Sequence, residues 1–288
     1  MRDTTRNSVL ALLAGSLLLL GPRPGEAGHE PFALYEDWTS APTIRADRWI
    51  GSGDFGQEIT REVKDDKLVM RFRREGATGS DAGATGFFNN RLSILNPRNV
   101  DQMEAHFRVH RLTVTGCAAN PTPSTARAAA ISFNPFSDVA PAVIRPPGNQ
   151  TGDYIARVQA VRTSDAPDPE GQLQIQALVF RCNDAACSAT TPVAGPVTLG
   201  QVAVHKEFRL RLTWDALGSQ FMAGQDDSPD VSLPYPPTAN SRPANVPFAV
   251  LRVQQVPANC TVASGGPTVA DAEIEVRGVL TNAAAVIP

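Results

Sequence analysis

Alternation of polarity with a period of two constrains this chain more than any other feature. In "VDQMEAHFRVHRLTV", Met103, Ala105, Phe107 and Val109 point one way, and Gln102, Glu104, His106, Arg108 and His110 point the other. Successive side chains of an extended strand face opposite sides, so such a run makes a strand with one buried face. "KLVMRFRRE" repeats the pattern, with Leu68, Met70 and Phe72 opposed to Val69, Arg71 and Arg73. "KEFRLRLTWDA" does so again, with Phe208, Leu210, Leu212 and Trp214 opposed to Arg209, Arg211 and Thr213. "EITREV", "ARAAAISF", "DYIARVQAVRTS", "GQLQIQALVFRC", "PFAVLRVQQV" and "DAEIEVRGVL" read as further strands. No segment after the N-terminus sustains a helical period over three turns. The count is ten to thirteen strands. Half-apolar strands at this spacing suit two antiparallel sheets packed face to face.

Turn chemistry supports this. The chain holds 22 glycines and 24 prolines but only 6% aromatic residues. "KDD" with Lys67 makes a tight turn between two strands, and "DAPDPEG", "NPTPST", "NPFSDVAPAVIRPPGNQ" and "SPDVSLPYPPTANSRPANVP" read as loops. There is no internal repeat and no linker, so residues 28–288 are expected to form one β-sandwich domain.

The N-terminus has the parts of a secretory signal: Arg2 and Arg6, an apolar run of twelve from Val9 to Leu20, and a small-residue exit at Gly25 and Ala27. The apolar run is shorter than the roughly 20 residues of a membrane helix. Residues 1–27 are expected to be a signal peptide. The mature protein would begin at Gly28, be secreted or periplasmic, and carry no membrane span. Net charge is −3 with mixed signs throughout, which argues against a nucleic-acid partner.

The four cysteines, Cys117, Cys182, Cys187 and Cys260, all lie in the mature part. In an exported protein an even number implies disulfides. "NDAA" reads as a turn between two strands, which pairs Cys182 with Cys187 and leaves Cys117 for Cys260. No histidine pair stands near a cysteine pair at zinc spacing, so no metal site is assigned.

The order of several motifs resembles a known superfamily. "LYEDWTSAPTIRADRWIG", "KDDKLVMRF", "VDQMEAHFRV", "FRLRLTWDALGSQFMA" and a closing "DAEIEVRGV" follow one another as in the concanavalin A-like lectin/glucanase jelly rolls. The resemblance covers most of residues 32–280. It implies a jelly-roll sandwich whose last strand returns to the first. Laminarinase-type glucanases of that superfamily carry E-x-D-x-x-E on one strand, because retaining hydrolysis needs two carboxylates roughly 5 Å apart. Here "GDYIARVQAV" offers only Asp153, at its edge, and "DAEIEVRG" offers Glu273 and Glu275 near the C-terminus. The pattern is absent, so no catalytic residues are assigned. Legume-type lectins hold calcium in a loop dense in Asp and Asn. The one comparable segment is "MAGQDDSPD", with Asp226, Asp227 and Asp230, which reads first as a turn; no cofactor is expected, and calcium is the ion such a loop would take.

The candidate ligand face is the polar side of the long strand, Glu104, His106, Arg108 and His110, with Arg157 and Gln159 from a neighbouring strand. Gln172, Gln174 and Gln176, or Arg209 and Arg211, would extend it if their strands align. Planar donors and acceptors on a sheet face suit sugar hydroxyls, although this face is poor in aromatic rings. Trp214 and Trp49 read as core, and Trp38, near Tyr35, as an edge cap. The sequence thus points to an exported non-catalytic module binding carbohydrate or a cell-surface ligand. Its rivals are a structural or adhesive surface protein without a small ligand, and a divergent glycoside hydrolase.

Overall fold

A computed structural model of the chain describes residues 31–53, 58–81, 83, 86–95, 97, 100–136, 149–236 and 248–282. The expected signal segment, 1–27, and the mature start at Gly28 lie outside the described residues. Among the described residues no helix is long and apolar enough to cross a membrane.

Among the described residues the regular elements are fifteen strands and one short 3-10 turn at Val262–Ser264. The strands are β1 (Phe32–Glu36), β2 (Trp49–Gly53), β3 (Ile59–Lys64), β4 (Lys67–Glu75), β5 (Phe88–Ile94), β6 (Gln102–Val114), β7 (Thr125–Phe136) and β8 (Tyr154–Thr163). They continue as β9 (Gln172–Cys182), β10 (Thr190–Ala203), β11 (Glu207–Asp215), β12 (Gln220–Gln225), β13 (Val231–Pro234), β14 (Phe248–Val256) and β15 (Val269–Asn282). Sheet A runs β13-β12-β11-β6-β15-β4-β3, with β1 also on β15. Sheet B runs β10-β9-β8-β7-β14-β5-β2. All pairings are antiparallel, and Phe32 of β1 lies opposite Asn282 of β15. The result is a two-sheet antiparallel sandwich of jelly-roll type, with the last strand returned to the first.

The alternation does the work expected of it. Leu68, Met70 and Phe72 of β4, Met103, Ala105, Phe107 and Val109 of β6, and Ala156, Val158 and Ala160 of β8 all join one continuous core. Phe107 and Phe208, directly opposed on β6 and β11, stack at 5.8 Å. Trp214 and Trp49 are core residues as expected. Trp38 is buried as well rather than capping an edge: it stacks on Trp49 at 5.4 Å, while Tyr35 meets Trp49 edge-on. The two-residue turn between β3 and β4 holds Asp65 and Asp66 at φ of 50° and 57°, the left-handed geometry that a tight hairpin demands.

Polar struts cross the core. The fully buried Asn90 of β5 donates from Nδ2 to the carbonyls of Thr60 and Arg71, each at 3.1 Å. Gln255 of β14 donates to the Phe72 carbonyl at 3.1 Å. Both disulfides form as read from the sequence, Cys117–Cys260 and Cys182–Cys187. The second is not a strand-to-strand staple, however. The return strand starts at Thr190, which faces Cys182, and Cys187 sits within the loop. Asp184 organises that loop by accepting from the backbone of Ala186, Ser188 and Ala189 and from the Ser188 hydroxyl. These bonds, led by that of the Ser188 hydroxyl, hold its carboxyl down at about 2.

Candidate functional site

The six residues expected to share one face do not. Glu104, His106, Arg108 and His110 occupy the outer face of sheet A, whereas Arg157 and Gln159 occupy the outer face of sheet B. Each set alternates with core residues of its own strand, so the whole thickness of the sandwich separates them. Arg209 and Arg211 go with the first set, and Gln174 and Gln176 with the second.

On sheet A the charges are matched. Glu104 is 3.1 Å from His106 Nε2 and 3.8 Å from Arg211. Arg108 meets Glu207 at 2.6 Å, and Glu207 also pairs with Arg277. Glu275 collects His110 at 3.1 Å, Lys67 at 3.4 Å and Arg277 at 3.6 Å. Asp271, two residues before Glu273, shares its face, and Arg71 and Arg111 flank both acids. Desolvation pulls the Glu104 carboxyl upward, but the His106 hydrogen bond and the charges of His106, Arg209 and Arg211 hold it below its ordinary value. Glu275 behaves likewise: burial raises it, and His110 and Lys67 more than offset that. The face is a neutralised lattice.

The acidic loop of Asp226, Asp227 and Asp230 belongs to the same lattice. Asp226 accepts from the Arg209 amide at 2.8 Å, Asp227 pairs with the Arg209 guanidinium, and Asp230 pairs with Arg211 at 2.7 Å. Among the described residues the trio with metal-like spacing is not this loop but Asp81 with Cys117 and Cys260, and its two sulfurs are bonded to each other.

Sheet B is different in kind. Its seven strands contain Arg91, Arg127, Arg157, Arg162, Arg181 and Arg252, and not one Asp, Glu or Lys. Across the outer face, the strand register aligns Arg91, Arg252, Ala130, Gln159 and Gln176 in one row. The neighbouring rows bring Gln254 opposite Arg127, and Ser132 opposite Arg157. Arg157, only 5% exposed, donates to Ser132 Oγ at 3.3 Å, Gln159 Oε1 at 3.4 Å and Gln254 Oε1 at 3.1 Å. Its guanidinium lies 5.9 Å from the Phe180 ring. Gln254 passes a further hydrogen bond to Asn89 at 2.7 Å. Toward β9 and β10, Gln176 donates to Gln174, Gln174 to Asp168, and Gln201 to the other oxygen of Asp168. Gln174 and Gln176 line a hollow of about 210 Å³ under the loop joining β8 to β9.

Burial dominates the electrostatics here. It pushes the Arg127 guanidinium down to about 10 and Arg252 down to about 9. Neighbouring arginines add to the effect on Arg252, and burial with the charges of Arg252 and Arg127 drives Arg157 well below its usual range. Arg91 Nε, Arg252 Nε, and Arg127 Nε and Nη1 are buried without an acceptor.

Sequence reasoning missed Arg91, Arg127, Arg252, Gln254 and the ring of Phe180. Their signal was present: each sheet B strand that carries an arginine carries no acid to answer it, unlike β6, β11 or β15. A second hollow, of about 590 Å³, opens at the end of the sandwich between Arg181, Pro192, Pro234 and the rings of Tyr154 and Tyr235. Those rings belong to the core, and Tyr235 Oη accepts from Trp214 Nε1 at 2.8 Å.

No protein-family profile and no curated protein sequence matches the chain. Solved structures do. The LamA protein of Zobellia galactanivorans, solved with laminaritriose and laminaritetraose, is 8% identical and aligns at a TM-score of 0.46 over 88% of this chain and 99% of its own. A structure described with endo-acting O-glycanases of the human gut microbiota is 14% identical, at a TM-score of 0.49 over 86% and 97%. The carbohydrate recognition domain of Emp47p is 11% identical, at 0.36 over 86% and 93%. At these identities and scores the likeness carries no argument about activity; the fold rests on the strand pairing itself.

Proposed function

We propose that the chain is an exported, non-catalytic binding module whose ligand is a glycan held on the outer face of sheet B. The observation that carries this reading is a pair of hydrogen-bonded clusters of planar groups there, Arg157 with Gln159, Gln254 and Asn89, and Gln176 with Gln174, which adjoin where Gln159 and Gln176 lie opposite each other in register. Guanidinium and amide groups fixed in orientation by one another are suited to paired hydrogen bonds from sugar hydroxyls. Phe180 supplies an aromatic ring beside them. The same strand argues against a retaining hydrolase at this face: β8 presents Arg157 and Gln159 outward, where two carboxylates about 5 Å apart would be required. Sheet A, with its cations and anions already matched, has less to offer a neutral or charged ligand.

The test is a glycan array probed with the oxidised protein starting at Gly28, with and without calcium. Specific hits that disappear in a Gln159→Ala, Gln176→Ala double variant and persist in a His106→Ala, Arg108→Ala double variant are expected. Hits lost only in the second variant would move the site to sheet A. A blank array would turn the reading toward a structural or adhesive role. Hits that need calcium would assign the Asp226 loop a metal.

A further inference from the structure

We propose that the ligand of sheet B is anionic: an oxyanion of an acidic glycan, the carboxylate of a uronic acid or a sulfate ester, seats among Arg127, Arg157 and Arg252. The inference rests on the glycan-binding reading and adds the ligand's charge class to it.

A chain of net charge −3 has gathered six arginines into one sheet and kept every Asp, Glu and Lys out of its strands. Three of those arginines converge on the outer face over β7. Arg127 projects from β7 itself, Arg157 from β8 on one side and Arg252 from β14 on the other. The outward β7 residues between them, Ala130 and Ser132, are small and carry no charge of their own. Among the described residues none of the three has a carboxylate partner. Arg157 is satisfied only by neutral oxygens, while Arg252 Nε and two nitrogens of Arg127 have no acceptor at all.

Buried charges are paired in stable proteins, because removing an ion from water without a counter-ion costs several kcal/mol. Surface arginines avoid the problem by snorkelling to solvent. Arg157 and Arg252 remain 5% and 4% exposed. A cluster of buried donors, like in charge and short of acceptors, is complementary to a group that brings negative charge and several acceptor oxygens together. Carboxylates and sulfates do so, and guanidinium forks match their geometry. A neutral sugar would leave the charge unanswered. The amides of Gln159, Gln254 and Asn89 beside the cluster then serve the hydroxyls of the same residue or its neighbours.

The experiment is calorimetric titration of the oxidised protein, at fixed ionic strength, with three probes: an oligogalacturonate, a sulfated dextran oligosaccharide and the unsulfated dextran oligosaccharide. Inorganic sulfate is tested separately by its effect on melting temperature. Variants are Arg252→Gln and Arg127→Gln on sheet B and Arg111→Gln on sheet A. The expected result is binding of at least one acidic probe, at least tenfold tighter than the neutral one. That binding falls at least tenfold in each sheet B variant and is unchanged in Arg111→Gln. Equal binding of neutral and acidic probes, or equal loss in the sheet A variant, overturns the anion assignment and leaves glycan binding intact. If no sugar binds but inorganic sulfate raises the melting temperature of the wild type more than that of Arg252→Gln, the oxyanion seat stands and the glycan reading falls. If sulfate shifts both alike and nothing else binds, both fall.

Discussion

Arg252→Met should make the unliganded protein more stable. Arg252 crosses the centre of sheet B at 4% exposure, with Arg91 opposite it on β5 and, among the described residues, no acid paired with it. Burial depresses its guanidinium by more than three pH units, to about 9. Each pH unit of depression is worth about 1.4 kcal/mol, which sets a ceiling on the order of 5 kcal/mol for the cost of keeping this charge. Arginine holds its proton at neutral pH, so that cost appears as lost stability rather than as a neutral side chain. Methionine keeps most of the aliphatic stem, and exchanging buried charges for apolar groups of similar volume commonly gains 1–4 kcal/mol. A gain of about 1–3 kcal/mol is expected, which raises the melting temperature by roughly 2 °C or more for a domain of this size. Urea unfolding at pH 7 in non-reducing buffer, followed by tryptophan fluorescence, measures it directly. Trp38, Trp49 and Trp214 are all buried and will report the transition. A loss of 1 kcal/mol or more would mean that Arg252 has a counter-charge within the protein and is not the unpaired cation described above.

Three further outcomes follow from the same geometry. Asn90→Ala removes the strut between the sheets and is expected to cost about 1–3 kcal/mol, because both of its donor bonds run to buried strand carbonyls; a change below 0.5 kcal/mol in urea unfolding would show that the strut is dispensable. Replacing Cys117 and Cys260 by serine, which opens a span of 143 residues, should cost about 5 kcal/mol by chain entropy, against about 2 for the short Cys182–Cys187 loop; comparing the two double variants checks the ranking. Glu104 and Glu275 are depressed in the folded protein, so the unfolded chain takes up their protons first; the stability they supply is present above the ordinary carboxylate value of 4.5 and drains as pH falls through that value toward their folded ones. Glu104→Gln should therefore flatten the stability profile between pH 5 and 3, and a parallel profile would show that Glu104 contributes no pH dependence.

Much of the sandwich was legible because burial on one side of a sheet writes itself as alternation. β4, β6 and β11 were readable residue by residue, and so was the partition of Glu104, His106 and Arg108 away from the core. The edge strand β10 was legible only at its start, since Pro192, Gly195 and Pro196 interrupt it. An edge tolerates them because one side of its backbone needs no partner, and bulges absorb the misfit. The site was half legible. Alternation tells which side of its own strand Arg157 occupies, but not which sheet that strand joins. Only the pairing of β8 with β7 and β9 puts Arg157 across the molecule from His106. Arg252 and Arg127 each stand as the single charge of an otherwise uncharged strand, which in one strand alone signals nothing. The meaningful signal was compositional across strands far apart in sequence, and it emerges once the sheet order says which of them are neighbours.

The two outer faces then set different physical problems. Sheet A carries acids and bases on adjacent strands, in register, so that β6, β11 and β15 neutralise one another wherever they touch. Such a surface is stable as it stands and gains little from a charged ligand, whose binding would first have to break existing pairs. Sheet B carries arginines, glutamines and small residues, and its centre is short of both acceptors and negative charge. Stability alone would favour apolar residues at Arg127, Arg157 and Arg252, which is why the methionine substitution should stabilise. A ligand supplying the missing anion would reverse that preference, since binding to the folded state alone adds its free energy to stability. The same substitution should therefore change sign with ligand: Arg252→Met is expected to melt above the wild type alone, and below it in saturating acidic glycan. A variant that melts above the wild type under both conditions would separate the buried charge from binding and return sheet B to a purely structural role.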